Sequence, residues 1–250
     1  MLTKKPSEKP LKAIFFDAYG TLFHYEPEKL SQTFSLIVAQ LGLNVAPDTL
    51  LDRWRIYEKQ FRETRVLFTG GVWVAPGEFT SYKKAWISCF KRAYEYFGQA
   101  EVSSEESVNF MLEDLNKREI FADVRQTLNH LSNTVSVSVI SNADSDFLSK
   151  SIENNGLIFD KIICSETERV YKPHPSIFQA ALDYFGIDAG SSMYVGDSPL
   201  EDIQGPQSLG MNAIWLNRNG TDWPEGFQHE PAYEVSNLKE IIEIVDSINN

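Results

Sequence analysis

The sequence has few cysteines, fewer basic than acidic residues and no long apolar run, and each shortage excludes a class of protein. Its two cysteines, Cys89 and Cys164, are far apart, so they can build neither a disulfide framework nor a zinc site. Acidic residues outnumber basic ones by 35 to 23, and the net charge of −12 disfavours a general nucleic-acid binder. No stretch resembles a signal peptide or a membrane span. These shortages predict a soluble cytoplasmic protein whose partner is a small molecule, not nucleic acid or a membrane.

The order of predicted strands and helices favours an α/β fold. Residues 12–17 (KAIFFD) form a short apolar run that ends in an acid, which is typical of a strand buried on both faces of a sheet. After Phe121, strands predicted at 135–140, 161–164, 193–195 and 213–216 alternate with helices predicted at 146–155, 176–185 and 238–248. This alternation predicts a doubly wound parallel sheet with right-handed crossovers.

The region from about residue 28 to residue 117 has a different pattern. Its apolar residues recur at helical spacing and predict helices over 30–41, 50–61, 79–97 and 104–117. We therefore predict that this region is an all-helical insertion. The predicted organisation is a flexible tail over 1–10, a core over 11–27 and 118–250, and the insertion over 28–117.

Polar residues follow three of the predicted core strands. Asp17, Ser141 with Asn142, and Asp197 each stand at a strand end, and Lys172 lies in a loop between Tyr171 and Pro173. In open parallel sheets, ligands bind outside the carboxyl ends of the strands. The sequence therefore predicts that these side chains converge on one site.

Asp17 is the candidate nucleophile of that site. An aspartate at a strand end can simply cap a helix or form a turn, and for Asp17 alone this ordinary role would be preferred. Gly20, however, allows a sharp turn beside the carboxylate, and Thr21 offers a hydroxyl and backbone N–H groups to an oxyanion. Together these residues favour a reacting carboxylate with Thr21 as a substrate ligand.

Asp197 and Asp202 predict a metal site. Pro199 starts a predicted helix, so Asp202 falls in its first turn, where an acid also interacts well with the helix dipole. Asp197 precedes that helix and would face Asp17 across adjacent strand ends. Two such carboxylates repel each other unless a cation joins them, and Mg²⁺ prefers carboxylates, waters and phosphate oxygens. We therefore expect Mg²⁺ at this position.

The other polar candidates each have an ordinary alternative. Lys172 could be a surface lysine, or it could neutralise the nucleophile and the charge that develops on the substrate. Ser141 could cap the following helix, or it could bind substrate together with Asn142. In combination they favour a site.

In this order, the motifs resemble those of the haloacid dehalogenase superfamily of aspartate-nucleophile hydrolases. The motifs are Phe16–Leu22 (FDAYGTL), Ile140–Asn142 (ISN), Lys172 in Tyr171–Pro173, and Gly196-Asp197 with Asp202. The resemblance covers nearly the whole chain after the tail. It implies a Rossmann-like core, a helical cap inserted after the first motif, and Asp17 as the nucleophile.

The phosphatase branch of this family implies Mg²⁺ chemistry. Asp17 would attack phosphorus, and Asp17, the backbone carbonyl of Tyr19 and Asp197 would hold the ion, with Asp202 close by. These enzymes usually carry a second aspartate two residues after the nucleophile as general acid and base. Here that position is Tyr19, whose phenol pKa of about 10 makes it a poor substitute.

The dehalogenase branch implies metal-independent displacement of halide from carbon by Asp17. Its first motif typically reads Asp-x-Tyr-Gly-Thr-Leu, as in this chain, and Trp54-Arg55 resembles its cap segment with the halide-binding arginine. Trp215–Arg218 (WLNR) also resembles its C-terminal region. Arg55 can alternatively be an exposed helical arginine.

The fourth motif favours the phosphatase branch, because dehalogenases generally have Ser and Asn near the position of Asp197. Phe178 also stands where they tend to have a tyrosine. We predict a Mg²⁺-dependent phosphohydrolase of low or narrow activity toward a small phosphorylated metabolite. The alternatives are a metal-independent 2-haloacid dehalogenase and a binding or regulatory protein that has lost turnover through Tyr19.

Overall fold

A computed structural model describes residues 9–75 and 77–249. The elements in chain order are β1 (Ala13–Phe16), α1 (Pro27–Leu41), α2 (Pro47–Arg65), β2 (Leu67–Thr69), β3 (Val72–Val74), α3 (Tyr82–Tyr96), α4 (Ser104–Asn116), α5 (Val124–Leu131), β4 (Ser136–Ser141), α6 (Ser145–Asn154), β5 (Ile162–Cys164), α7 (Ser165–Glu168), α8 (Pro175–Phe185), β6 (Ser192–Gly196), α9 (Gly205–Ser208), β7 (Asn212–Leu216), β8 (Tyr233–Val235) and α10 (Lys239–Asn249). A 3₁₀ turn at Ala189–Ser191 precedes β6, and a π-helix at Pro199–Gln204 follows it. The tail predicted over residues 1–10 lies outside the described residues except for Lys9 and Pro10.

The chain divides into two compact units. Among the described residues, the first combines those up to His24 with Glu119–Asn142 and those from Leu157 onward, and the second combines Tyr25–Arg118 with Ala143–Gly156. Helix α6 therefore groups with the second unit, although it follows strand β4 of the first. The core and cap boundaries predicted from the sequence stay a prediction.

The first unit contains a six-stranded sheet in the order β5-β4-β1-β6-β7-β8. Every neighbouring pair is parallel. Strand β1 is buried at all four residues, which explains its uninterrupted apolar sequence. The predicted α/β fold with a doubly wound parallel sheet is confirmed. Edge strand β8 was not predicted, because its three residues show no apolar run.

The register of the central strands places the candidate site. Phe16, the last residue of β1, is level with Val139 on β4 and Val195 on β6. The residues that follow these three strands therefore emerge side by side at the carboxyl edge of the sheet. Among the described residues, no helix combines the length and apolar character needed to cross a membrane.

The second unit is mostly helical and has an aromatic core. Phe34 of α1 stacks on Phe90 of α3 with ring centroids 5.4 Å apart, and Trp54 of α2 lies 5.9 Å from the same Phe90 ring. All three rings are buried. The buried face of these helices accounts for the helical periodicity of the sequence.

The prediction that this region is all-helical is wrong at one place. Strands β2 and β3 form an antiparallel hairpin joined by Gly70 and Gly71. Both glycines have positive φ, 58° and 81°, as the tight turn of a two-residue hairpin requires. A Gly-Gly pair between short runs of β-branched and aromatic residues was the available sequence signal.

Candidate active site

Asp17 directly follows β1 and is held at the edge of the sheet. Its backbone N–H donates to the Val195 carbonyl at 2.9 Å, and its side chain is buried. Its Oδ1 accepts a hydrogen bond from Lys172 Nζ at 2.6 Å and a longer one from the Ser141 hydroxyl at 3.4 Å. The structure therefore brings two predicted site residues, from two other segments of the chain, to the Asp17 carboxylate.

Lys172 is the buried cation of the site, with only 1% of its surface exposed. Its Nζ donates to Asp17 Oδ1 at 2.6 Å, Asp202 Oδ1 at 2.7 Å and the Tyr194 hydroxyl at 2.8 Å. Tyr194 in turn donates to the Ile140 carbonyl at 2.8 Å. Because an ammonium group has three hydrogens, these acceptors use all of them and fix its position.

Lys172 remains charged in this environment. Burial alone would lower its pKa, but the carboxylates of Asp17 and Asp202 outweigh that effect and hold the pKa well above its ordinary value. The ammonium group therefore neutralises one negative charge of the site throughout the physiological pH range.

Asn142 holds the backbone of Lys172 through both ends of its amide group. The Lys172 N–H donates to Asn142 Oδ1 at 2.8 Å, and Asn142 Nδ2 donates to the Lys172 carbonyl at 3.1 Å. The same Nδ2 donates to Glu201 Oε2 at 2.8 Å. These contacts position Lys172, while the role of Asn142 as a substrate ligand stays a prediction.

Three carboxylates meet at this edge of the sheet. Oxygen atoms of Asp17, Asp197 and Asp202 lie within 4.8 Å of one another. Both oxygens of Asp202 accept hydrogen bonds from the protein, Oδ1 from Lys172 at 2.7 Å and Oδ2 from the Ser198 N–H at 2.9 Å. Asp202 is thus anchored more firmly than Asp197, whose side chain is exposed.

Burial and the charges of neighbouring carboxylates raise the pKa values of Asp197 and Asp202. Surrounding protein atoms and the charges of Asp17 and Asp202 raise the pKa of Asp197 well above its ordinary value, although its side chain is open to solvent. Burial raises the pKa of Asp202, and the charge of Lys172 offsets this only in part because Asp17 acts in the opposite direction. Three acidic groups therefore share a single ammonium group.

Two glycines allow the backbone to approach these carboxylates. A Cβ on Gly20, which has φ of 95°, would lie 2.6 Å from Asp197 Oδ2. A Cβ on Gly196 would lie 2.2 Å from Asp202 Cγ. Both distances are too short for any side chain, so the two turns require glycine to form the site.

Thr21 and Tyr19 belong to the turn after the nucleophile. Thr21 is buried, and its hydroxyl donates to Asp197 Oδ1 at 3.3 Å. Tyr19 is half-buried and packs against Phe23 with ring centroids 5.6 Å apart. The predicted roles of Thr21 toward substrate and of the Tyr19 carbonyl toward a metal ion stay predictions.

Arg55, the remaining predicted site residue, belongs to the second unit. It lies on α2 with 42% of its side chain exposed, and its Nη1 is 3.8 Å from Asp52 Oδ1. Such an exposed and loose ion pair contributes little to stability. The arginine is therefore not required by the packing of its helix.

Sequence analysis missed Tyr194. It lies inside the buried strand β6, for which the sequence predicts a strand at 193–195 and no role for the tyrosine. A buried tyrosine hydroxyl usually has a hydrogen-bond partner, so a tyrosine two residues before Gly196 was the available signal. The contact of Glu201 with Asn142 was also missed, because an acid in a first helical turn is already explained by the helix dipole.

Comparisons with known proteins identify relatives of two activities. A family model for haloacid dehalogenase-like hydrolases matches residues 11–210. Haloacetate dehalogenase H-2 of Moraxella sp. (strain B) is 23% identical over 241 residues, which cover 95% of this chain and 99% of that protein. N-acylneuraminate-9-phosphatase of Homo sapiens is 32% identical over 130 residues, 51% of this chain and 52% of that protein. The crystal structure of the HAD-hydrolase YfnB from Bacillus subtilis bound to magnesium matches with a TM-score of 0.76 at 17% identity, covering 95% of this chain and 100% of that one.

Proposed function

The chain belongs to the haloacid dehalogenase-like hydrolase family, and on that basis we propose that it is a Mg²⁺-dependent phosphatase for a small phosphorylated metabolite. The observation that carries this proposal is the unbalanced charge at the carboxyl edge of the sheet. Asp17, Asp197 and Asp202 lie together, and Lys172 is the buried cation bonded to two of them.

The donor set fits Mg²⁺. When all three carboxylates are ionised, one ammonium group leaves two of their negative charges uncompensated, and a divalent cation supplies the matching positive charge. Mg²⁺ also prefers oxygen ligands from one or two carboxylates together with waters and phosphate oxygens. We expect Asp17, Asp197 and the carbonyl of Tyr19 to hold it, with Asp202 completing the acidic group. When bound, the ion screens the repulsion between a phosphate and the nucleophile.

The residues divide the reaction into two steps. A carboxylate oxygen of Asp17 attacks phosphorus, the bond from phosphorus to the leaving oxygen breaks, and an aspartyl phosphate forms. Water then cleaves that intermediate, which returns the Asp17 carboxylate and releases inorganic phosphate. Lys172 hydrogen-bonds Asp17 and holds its carboxylate in place, and Thr21 offers its backbone N–H to the phosphoryl oxygens.

Tyr19 limits the range of substrates. A positioned general acid typically accelerates such a step ~10²–10⁴-fold, and a phenol of ordinary pKa protonates a leaving alkoxide poorly. The enzyme therefore favours esters whose leaving group departs without protonation. This accounts for the low or narrow activity that we expect.

The test is a screen of purified protein against p-nitrophenyl phosphate and L-2-chloropropionate, each with Mg²⁺ and with EDTA. We expect phosphate release that disappears in EDTA. Asp17→Asn should abolish it, whereas the exposed Asp183→Asn, the same chemical change far from the site, should not. Activity that survives in Asp17→Asn would refute the nucleophile assignment.

A second candidate is a metal-independent 2-haloacid dehalogenase. It is favoured by Tyr19 in the first motif and by a dehalogenase relative that matches almost from end to end. In this case Asp17 displaces halide from carbon, water hydrolyses the resulting ester, and Arg55 binds the halide. Chloride release that is indifferent to EDTA and lost in Arg55→Ala would establish this function instead.

The screen also addresses a binding or regulatory role. A protein that has lost turnover through Tyr19 would release neither product. The variant Tyr19→Asp would then gain phosphatase activity that the wild-type chain lacks.

A further inference from the structure

Arg218 and Asp123 form a partly buried ion pair beside the turn that follows the nucleophile. Arg218 Nη1 donates to Asp123 Oδ2 at 2.9 Å, and Arg218 Nη2 donates to Asp123 Oδ1 at 3.1 Å. Asp123 Oδ2 also accepts the Leu238 backbone N–H at 2.8 Å. This bidentate geometry fixes the plane of the guanidinium group, which a single hydrogen bond would not do.

The same guanidinium group reaches the nucleophile turn. Arg218 Nη2 donates to the backbone carbonyl of Thr21 at 3.0 Å. The hydroxyl of the same Thr21 donates to Asp197 Oδ1 at 3.3 Å. Thr21 is therefore bound by Arg218 through its backbone carbonyl and contacts Asp197 through its hydroxyl.

Two further contacts stiffen this arrangement. The guanidinium carbon of Arg218 lies 3.9 Å from the centroid of the Phe121 ring, a cation–π geometry. The Phe121 backbone N–H donates to the Leu22 carbonyl at 3.0 Å. Phe121 thus supports Arg218 with its ring and the nucleophile turn with its backbone.

We propose that Arg218, oriented by Asp123, is a positioning residue that sets the place of Thr21 and, through it, of Asp197. Arg218 acts on the reaction through Thr21 and does not touch the substrate. The proposal rests on the proposed function in one respect, namely that Asp17 and Thr21 belong to the reacting site. It holds for attack on phosphorus and for attack on carbon alike.

Kinetics of Arg218→Met give the first test, in whichever of the two assays the wild-type chain shows activity. Displacement of a positioning group by about 1 Å can cost ~10²-fold in rate, so we expect kcat to fall ~10- to 100-fold. KM should stay within about threefold, because the lost contact matters mainly in the transition state. Arg218→Lys should recover part of kcat, since lysine can still donate to Thr21 but cannot form the bidentate pair.

Lys239→Met is the matched control. Lys239 lines the same cavity of about 550 Å³ as Arg218 and also loses a positive charge in the variant. Its side chain is exposed and has no described contact with Thr21. We expect kcat of Lys239→Met to equal that of the wild type. An equal loss in both variants would show that cavity charge matters and positioning does not.

A double-mutant cycle with Thr21→Val separates positioning from support of the fold. Valine keeps the shape of threonine and removes the hydroxyl that bonds to Asp197. If Arg218 acts through Thr21, Arg218→Met should cost far less kcat in the Thr21→Val background than in the wild type. Additive losses, or a lower melting temperature with unchanged kcat, would overturn the proposal.

Hydrogen–deuterium exchange supplies a readout that needs no activity. The peptide over residues 18–24 should exchange at least about tenfold faster in Arg218→Met and in Asp123→Asn, and at the wild-type rate in Lys239→Met. A wild-type chain that releases neither phosphate nor chloride would refute the proposed function, and exchange would then decide the present proposal. Unchanged exchange in Arg218→Met would overturn it.

Discussion

Two partly buried ionic groups of the first unit differ in how their charges are matched. Asp123 and Arg218 form a balanced pair: burial opposes ionisation of Asp123, but hydrogen bonds from Arg218 and the Leu238 N–H outweigh it, and the pKa of Asp123 is lowered. The group around Lys172 is unbalanced, since three carboxylates share one ammonium and the pKa values of Asp197 and Asp202 are raised.

The difference distinguishes a structural contact from a binding site. A balanced pair carries no net charge that a further ion must offset, and it holds two segments together. An excess of negative charge in a partly buried place costs free energy until a cation arrives. We therefore expect the chemistry at Lys172 and its carboxylates, and mechanical support at Arg218.

The largest effect is expected for Lys172→Met. Removing one partner of a buried ion pair costs about 3–5 kcal/mol, because Asp17 and Asp202 then face each other uncompensated. Activity should fall ~10³-fold. Urea unfolding should show that Mg²⁺ restores part of the lost stability.

The exposed Lys150→Met is the control and should change stability by no more than about 0.5 kcal/mol. Equal stability of both variants would contradict the role of Lys172 in offsetting the carboxylates.

A smaller effect with a defined pH dependence is expected for Asp123→Asn. The loss of a charged hydrogen-bond partner should cost about 2–3 kcal/mol at pH 7. Because the folded pKa of Asp123 is lowered, its contribution is present above the unfolded pKa of about 4 and disappears as pH falls through the folded pKa. Urea unfolding of both proteins should therefore differ most at neutral pH and converge below about pH 4.

The exposed Asp183→Asn provides the control for that pH series. It should match the wild type at each pH, within about 0.5 kcal/mol. A stability difference between Asp123→Asn and the wild type that stays constant with pH would show that the charge of Asp123 contributes nothing.

The smallest effect is expected for Tyr194→Phe. The variant leaves one Lys172 hydrogen and the Ile140 carbonyl without a partner, which should cost about 1–3 kcal/mol in the free energy of unfolding. Tyr184→Phe makes the same change on an exposed side chain and should be neutral. Identical unfolding free energies of the two variants would show that the hydrogen bond between Tyr194 and Lys172 does not stabilise the fold.

Much of the fold and of the candidate site could be predicted from local patterns. Asp17 and Asp197 directly follow apolar strands, and parallel strands bring such ends together, so their convergence follows from topology. The pairing of Arg218 with Asp123 could not be predicted, because the two residues are 95 positions apart and meet only through tertiary packing. Tyr194 was missed for a related reason, since the apolar pattern of β6 does not reveal a hydroxyl partner.

Calorimetric titration with Mg²⁺ tests most directly whether the unmatched carboxylates form a cation site. We predict that the wild-type chain binds one Mg²⁺ ion and that Asp197→Asn loses this binding. Asp183→Asn should bind as the wild type does. Absence of binding to the wild type, or equal binding to Asp197→Asn, would contradict the account.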